Sequence, residues 1–337
     1  MLCVNSLQVV NLILHFGNLK RMAELGYIML ICMMGESLSV QSFFSRQSFK
    51  DLIHMLSEQL FQPKNAIELA IVEKIFKSFM RIKNSMLFVS GLCMVACCGT
   101  ASLYRSQRKL PLAAYYPFDV TVSPYYDIVY AHQSLAIIFY AFNNVFGFAI
   151  SSMFAHFLGL QCDLLCQRVT RIGKNGSDIR QEFLECIRHH RLILKFLKTT
   201  EKVFGKIYFG QLFASTTALC MDLFLLSLTE PKTFEFFYLV VYLLAVANLL
   251  LVPCWFSTEM TRKSENIPFA AYSCDWVDSS NSFKKELIFF IRRAQRPLKF
   301  YAVDFFEISV ETFVKIIRTS LSYYAVLNNL NMEEKYY

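Results

Sequence analysis

The sequence predicts an all-α membrane protein with seven transmembrane helices. Three observations carry this. Hydrophobic residues make up 55% of the 337, and mean hydropathy is +0.37. A soluble chain of this length would intersperse such residues with charge over two domains. Here they gather instead into seven runs, near 2–19, 24–43, 84–103, 127–160, 207–229, 234–257 and 300–328. About 20 apolar residues cross the hydrocarbon of a bilayer. Finally, Lys and Arg divide unequally between the two sides. The connections 44–83, 161–206 and 258–299 hold 7, 10 and 8 of them, 25 in all, against 7 on the other side. Positive connections stay in the cytoplasm, so the N-terminus is expected inside and the C-terminus outside.

The first run begins at the initiator methionine and is expected to be clipped. It has neither the basic start nor the small-residue cleavage site of a signal peptide. The fourth is too long for a simple crossing and is expected to continue as a helix beyond the membrane. Between the third and fourth lies "LPLAAYYPFDVTVSPYYDIVYAHQ", residues 110–133, an aromatic, proline-containing loop. Two basic connections carry amphipathic helices. Segment 178–204 spaces Ile179, Phe183, Ile187, Leu194 and Leu197 along one face, and segment 282–296 spaces Leu287, Phe290 and Ile291. Such helices either lie on anionic lipid or pack together as a platform under the membrane. Asn175-Gly176-Ser177 is a glycosylation sequon in a cytoplasmic connection, and is therefore expected to stay unmodified. The last run is the most polar. Glu311, Lys315 and Arg318 share one helix face at i, i+4, i+7, so Glu311 and Lys315 can pair.

No pattern for catalysis, metal or cofactor binding emerges, and neither an enzyme nor a nucleic-acid partner is expected. The eleven cysteines include Cys93, Cys97 and Cys98 in one apolar run and form no pair of CxxC motifs. They read as small apolar residues. The six histidines show no HExxH spacing. Asp222, near the outer end of the fifth run, is expected to be solvated. Seven helices also describe a G-protein-coupled receptor, but the inferred orientation is inverted. The chain has neither an Asp-Arg-Tyr triplet at the third helix nor Asn-Pro-x-x-Tyr in the seventh, and it ends on the short tail "NLNMEEKYY".

The C-terminal sixty residues carry a specific order of elements. "CDWVD" leads to a basic helix ending in "RAQRP", Arg293 to Pro297. Phe306, Ser309, Glu311 and Phe313 follow, then "TSLSY", Thr319 to Tyr323. This order, with "YYPFD" in the outer loop, resembles the insect odorant receptor family. The resemblance implies a single transmembrane domain over 1–337 and a tetrameric, odorant-gated, non-selective cation channel. Its partner would be a shared co-receptor subunit, its setting the bilayer of olfactory neuron dendrites, its ligand a small volatile apolar odorant. It also implies that helices four to seven extend into a cytoplasmic anchor, with 161–206 and 258–299 as anchor segments. The pore helix falls at 300–330, with a hydrophobic gate at Val326 and a polar ring at Asn329. The family's pocket lies in the outer half of helices two, three, four and six. The ligand-binding candidates there are Tyr27, Met94, Cys98, Tyr130, Ser134, Ile137, Tyr238 and Tyr242. A gustatory receptor subunit remains as an alternative, although that group's closing Thr-Tyr-x-x-x-x-Gln-Phe pattern is absent. A secondary transporter is the other, although the halves show no internal repeat.

Overall fold

The computed structural model describes residues 2–103, 108, 110–174 and 178–336, together with the side chains of most of them. Asn175, Gly176 and Ser177, and with them the sequon, lie outside the described residues. Among the described residues ten α-helices follow in order: α1 Leu2–Leu14, α2 Leu19–Phe44, α3 Arg46–Leu56, α4 Ala66–Leu103, α5 Tyr125–Thr170, α6 Ile179–Leu228, α7 Phe234–Ser264, α8 Ile267–Tyr272, α9 Asn281–Ala294 and α10 Val310–Tyr336. The seven apolar runs fall on α1, α2, α4, α5, α6, α7 and α10. Five of these, α2, α4, α5, α6 and α7, are long and apolar enough to cross a membrane by themselves. The described part of α1 is shorter, and α10 is too polar to qualify on composition.

The long helices exceed the membrane. At 50 residues α6 runs about 75 Å, more than twice the hydrocarbon thickness. The amphipathic segment beginning at Asp178 is the first half of this helix, and it continues without a break into the fifth apolar run. Asp178 caps it by accepting from the Arg180 N–H. The fourth run likewise continues as one helix to Thr170.

Beyond the spans, α9 lies against α6. Phe283, Leu287, Phe290 and Ala294 are buried at helical spacing. The Phe183 ring meets those of Phe283 and Phe290 edge-on at 5.1 and 5.6 Å, and His190 meets Phe290 at 5.4 Å. Leu197 is buried, while Leu194 and Ile291 are partly buried against the same core.

One boundary differs from the sequence expectation. Residues 300–309 are not the start of the last helix. They form a two-stranded hairpin, β1 Tyr301–Ala302 with β2 Phe306–Glu307. Its apolar residues look like helix in composition, but the backbone is already committed elsewhere. The Tyr301 N–H donates to Glu201 Oε1 at 2.9 Å, and Lys299 pairs with Glu307 at 2.7 Å. The hairpin approaches α6 at Gly205, where a Cβ would lie 3.3 Å from the Tyr301 carbonyl oxygen. α10 begins only after Ser309, whose hydroxyl accepts from the Thr312 N–H.

Candidate functional site

A cavity, open at its mouth, lies among α2, α4, α5 and α7. Its walls are almost entirely apolar. α2 contributes Ile31 and Cys32, α4 Cys93 and Met94, α5 Ile137 and Tyr140, and α7 Tyr238, Tyr242 and Leu249. Leu112, from the loop before α5, closes one side. It is held there by Gln133, a fully buried side chain of α5. The Gln133 amide accepts from the Leu112 N–H at 2.9 Å and donates to the Leu112 carbonyl at 3.0 Å. A further bond at 3.1 Å runs from Gln133 Nε2 to the Tyr116 hydroxyl. A side-chain amide thus pairs with the loop backbone as a neighbouring strand would, satisfying groups that water would otherwise have to reach.

The polar groups in the walls are few and mostly paired. The Tyr140 hydroxyl donates to Glu36 at 2.8 Å, and Asn144 Nδ2 donates to the Ile31 carbonyl at 3.2 Å. Together these tie α5 to α2. The Tyr242 hydroxyl donates to the Tyr27 carbonyl at 2.6 Å, tying α7 to α2. The two rings meet edge-on at 5.0 Å. Such a space accepts ligands through shape and hydrophobic contact, with a small number of fixed polar handles.

Of the eight ligand-binding candidates, the structure brings Met94, Ile137, Tyr238 and Tyr242 onto this cavity. Tyr27 lies immediately behind Tyr242. The Cys98 side chain lies outside the described residues. Tyr130 and Ser134 sit on α5 closer to its start and do not line the cavity. Leu112, paired to Gln133, lines the cavity instead. Sequence reading missed Tyr140 and Asn144, although 137, 140 and 144 continue the same face. It also missed Ile31 and Cys32, one turn beyond Tyr27. Leu112 left no periodic signal at all. Asp222 corrects the expectation of a solvated residue: it is fully buried.

α10 offers a second candidate region. Ile316 and Ser320 are buried, and the Ser320 hydroxyl donates to the Thr216 carbonyl of α6 at 3.1 Å. Glu311 and Lys315 pair at 2.7 Å on the uncovered side, and Thr319 donates back to the Lys315 carbonyl. Val326 is 53% exposed, and Asn329 is exposed one turn further on.

The fold and cavity define a multi-pass helical membrane protein with an apolar cavity between its helices. Residues 24–321 match the family model described as 7tm odorant receptor, and this chain belongs to that family as an odorant receptor. It is 26% identical to odorant receptor 46a, isoform A, of Drosophila melanogaster, over 95% of this chain and 86% of that one. It is 24% identical to odorant receptor Or2 of Anopheles gambiae, over 79% and 75%. The fold matches that of the olfactory receptor OR5 from Machilis hrabei, solved in complex with eugenol. The TM-score there is 0.89 at 17% identity, covering 98% of this chain and 86% of that one.

Proposed function

We propose that this chain is the odorant-binding subunit of a non-selective cation channel, assembled as a heterotetramer with a shared co-receptor subunit. Its place is the plasma membrane of olfactory sensory neuron dendrites, with the basic connections in the cytoplasm. The observation that carries the channel reading is the uncovered stripe of α10. One side of that helix packs on α6 and α7, while Glu311, Lys315, Arg318, Ser322 and Asn329 remain exposed. Lipid is a poor environment for such a stripe, whereas a water-filled axis shared by several subunits accommodates it. Val326 on that side supplies an apolar constriction, which gates by dewetting. The apolar cavity among α2, α4, α5 and α7 takes the odorant. In the assembled channel, α9 and the first half of α6 form the cytoplasmic anchor where subunits meet.

Whole-cell recording with and without the co-receptor tests this. The expected result is an odorant-evoked cation current with discrete single-channel openings when both subunits are present. A co-receptor-independent flux coupled to an ion gradient, without openings, would show a transporter instead.

A further inference from the structure

Asp222 of α6 is fully buried, and neither carboxyl oxygen has a hydrogen-bond partner. Burying a carboxyl without a partner is costly, and acidic groups kept inside membrane bundles commonly serve as counter-charges. Glu36, a carboxyl on α2, is by contrast partnered by the Tyr140 hydroxyl. The surroundings of Asp222 are specific. Tyr27, Tyr242 and Cys93 lie within reach of its charge, and no basic side chain among the described residues pairs with it.

Tyr27, Tyr238 and Tyr242 form one cluster. The Tyr27–Tyr242 ring centroids are 5.0 Å apart and those of Tyr238 and Tyr242 are 6.2 Å apart. Their hydroxyls are used within the cluster. Tyr242 donates to the Tyr27 carbonyl, and the Tyr27 and Tyr238 side chains are hydrogen-bonded. None is spent on Asp222. Tyr238 and Tyr242 also line the cavity. At the adjacent position Met221 Sδ lies 2.7 Å from where a Cβ on Gly26 would be. α2 and α6 are therefore in close contact here, and Asp222, the next residue along α6, lies beside the stretch of α2 that carries Tyr27.

Several tyrosine rings beside a lone carboxyl match the chemistry of an ammonium group. Ring faces attract a cation, and a fixed anion nearby neutralises it in a medium of low dielectric. We propose that the cavity takes small lipophilic amines. The hydrocarbon body packs against Met94, Ile137 and Leu249, and the ammonium sits among the tyrosine rings with Asp222 as its counter-charge. The inference rests on the reading of this cavity as the odorant site and narrows it to a ligand class.

Three near-isosteric probes test it in cells expressing both subunits: phenethylamine, phenethyl alcohol and propylbenzene. The amine is expected to activate at a concentration about tenfold lower than the other two. Asp222→Asn, with surface level measured by labelling, is expected to abolish that advantage while leaving the propylbenzene response in place. Tyr242→Phe, which keeps the ring, is expected to retain the advantage and shows whether the cluster tolerates substitution. Equal potency of amine and hydrocarbon in the unmodified receptor would overturn the proposal, as would an amine advantage that survives Asp222→Asn. Ile137→Trp separates the two readings: if it leaves all three responses unchanged, the cavity is not the odorant site.

Discussion

His189 is the residue whose chemistry depends most on its neighbours. It lies on the part of α6 outside the spans. Its Nε2 donates to Gln161 Oε1 at 2.9 Å, and its Nδ1 accepts from the Arg168 guanidinium at 3.3 Å. Only the neutral ring can do both. Burial, and then the charges of Arg168, His190 and Lys64, push its pKa down to about 3. An unfolded histidine titrates near 6.5, so below that pH the unfolded chain takes up a proton that the folded chain refuses. Stability is therefore full above about pH 6.5 and falls as pH drops through the acid range, by at most about 1.4 kcal/mol per pH unit for each such histidine. His190, lowered to about 4 first by burial and then by Arg293, adds to the slope. The melting temperature of the purified receptor should fall between about pH 6.5 and about pH 5. His189→Gln should make that fall shallower, and an unchanged slope would place the titrating group elsewhere. Arg168 also pairs with buried Glu68 at 2.9 Å and donates to the Leu60 and Gln62 carbonyls. Nothing in the sequence announces this cluster, because its members are separated by as many as 129 positions and share no spacing. The same limit explains Asp222. Periodicity assigns a residue to a helix face but does not say which neighbouring helix covers that face.

At the scale of elements, long periodic segments were legible and short tertiary ones were not. The amphipathic patterns at 178–204 and 282–296 are both helices, because alternating apolar and basic faces dictate a helix wherever they pack. The 300–309 hairpin was hidden because its apolar residues extend the run that follows. The loop over the cavity was hidden for a related reason. Leu112 is fixed by a side chain 21 residues away, through backbone groups that any residue would present. That fixation has a functional consequence. In Gln133→Ala the Leu112 N–H and carbonyl lose their partner, at a cost of about 1–3 kcal/mol if they stay buried. The loop then relaxes toward solvent, and the cavity loses one wall. Odorant-evoked currents should decay faster after washout, and the concentration for half-activation should rise by roughly tenfold. Gln133→Glu keeps the acceptor for the Leu112 N–H but loses the donor to its carbonyl, and should fall between the two. If washout kinetics are the same in all three proteins, Leu112 does not retain the ligand.

At the scale of the whole molecule, the cavity proposed for the odorant and the helix proposed for the pore are separate but linked. α10 is absent from the cavity lining, but it packs on α6 and α7, and α7 carries Tyr238 and Tyr242. A ligand that pushes on those tyrosines therefore acts on a helix that touches α10. In the proposed channel, the stripe on the far side of α10 would provide the readout. Val326→Ala should weaken the apolar constriction, admit water and raise the current seen without odorant. Asn329→Lys should add one positive charge per copy at the outer mouth, in a narrow space where salt screens it poorly. Cation conductance should fall, but only in part, because in the proposed heterotetramer the co-receptor would supply other helices of the ring. The measurement is single-channel conductance and basal open probability in cells expressing both subunits, with this chain's presence verified by surface labelling. If Asn329→Lys leaves conductance and ion selectivity unchanged, α10 of this chain does not line the pore. Its exposed stripe would then have to be covered by a neighbouring subunit, with Lys315 and Arg318 paired to acidic groups across that contact.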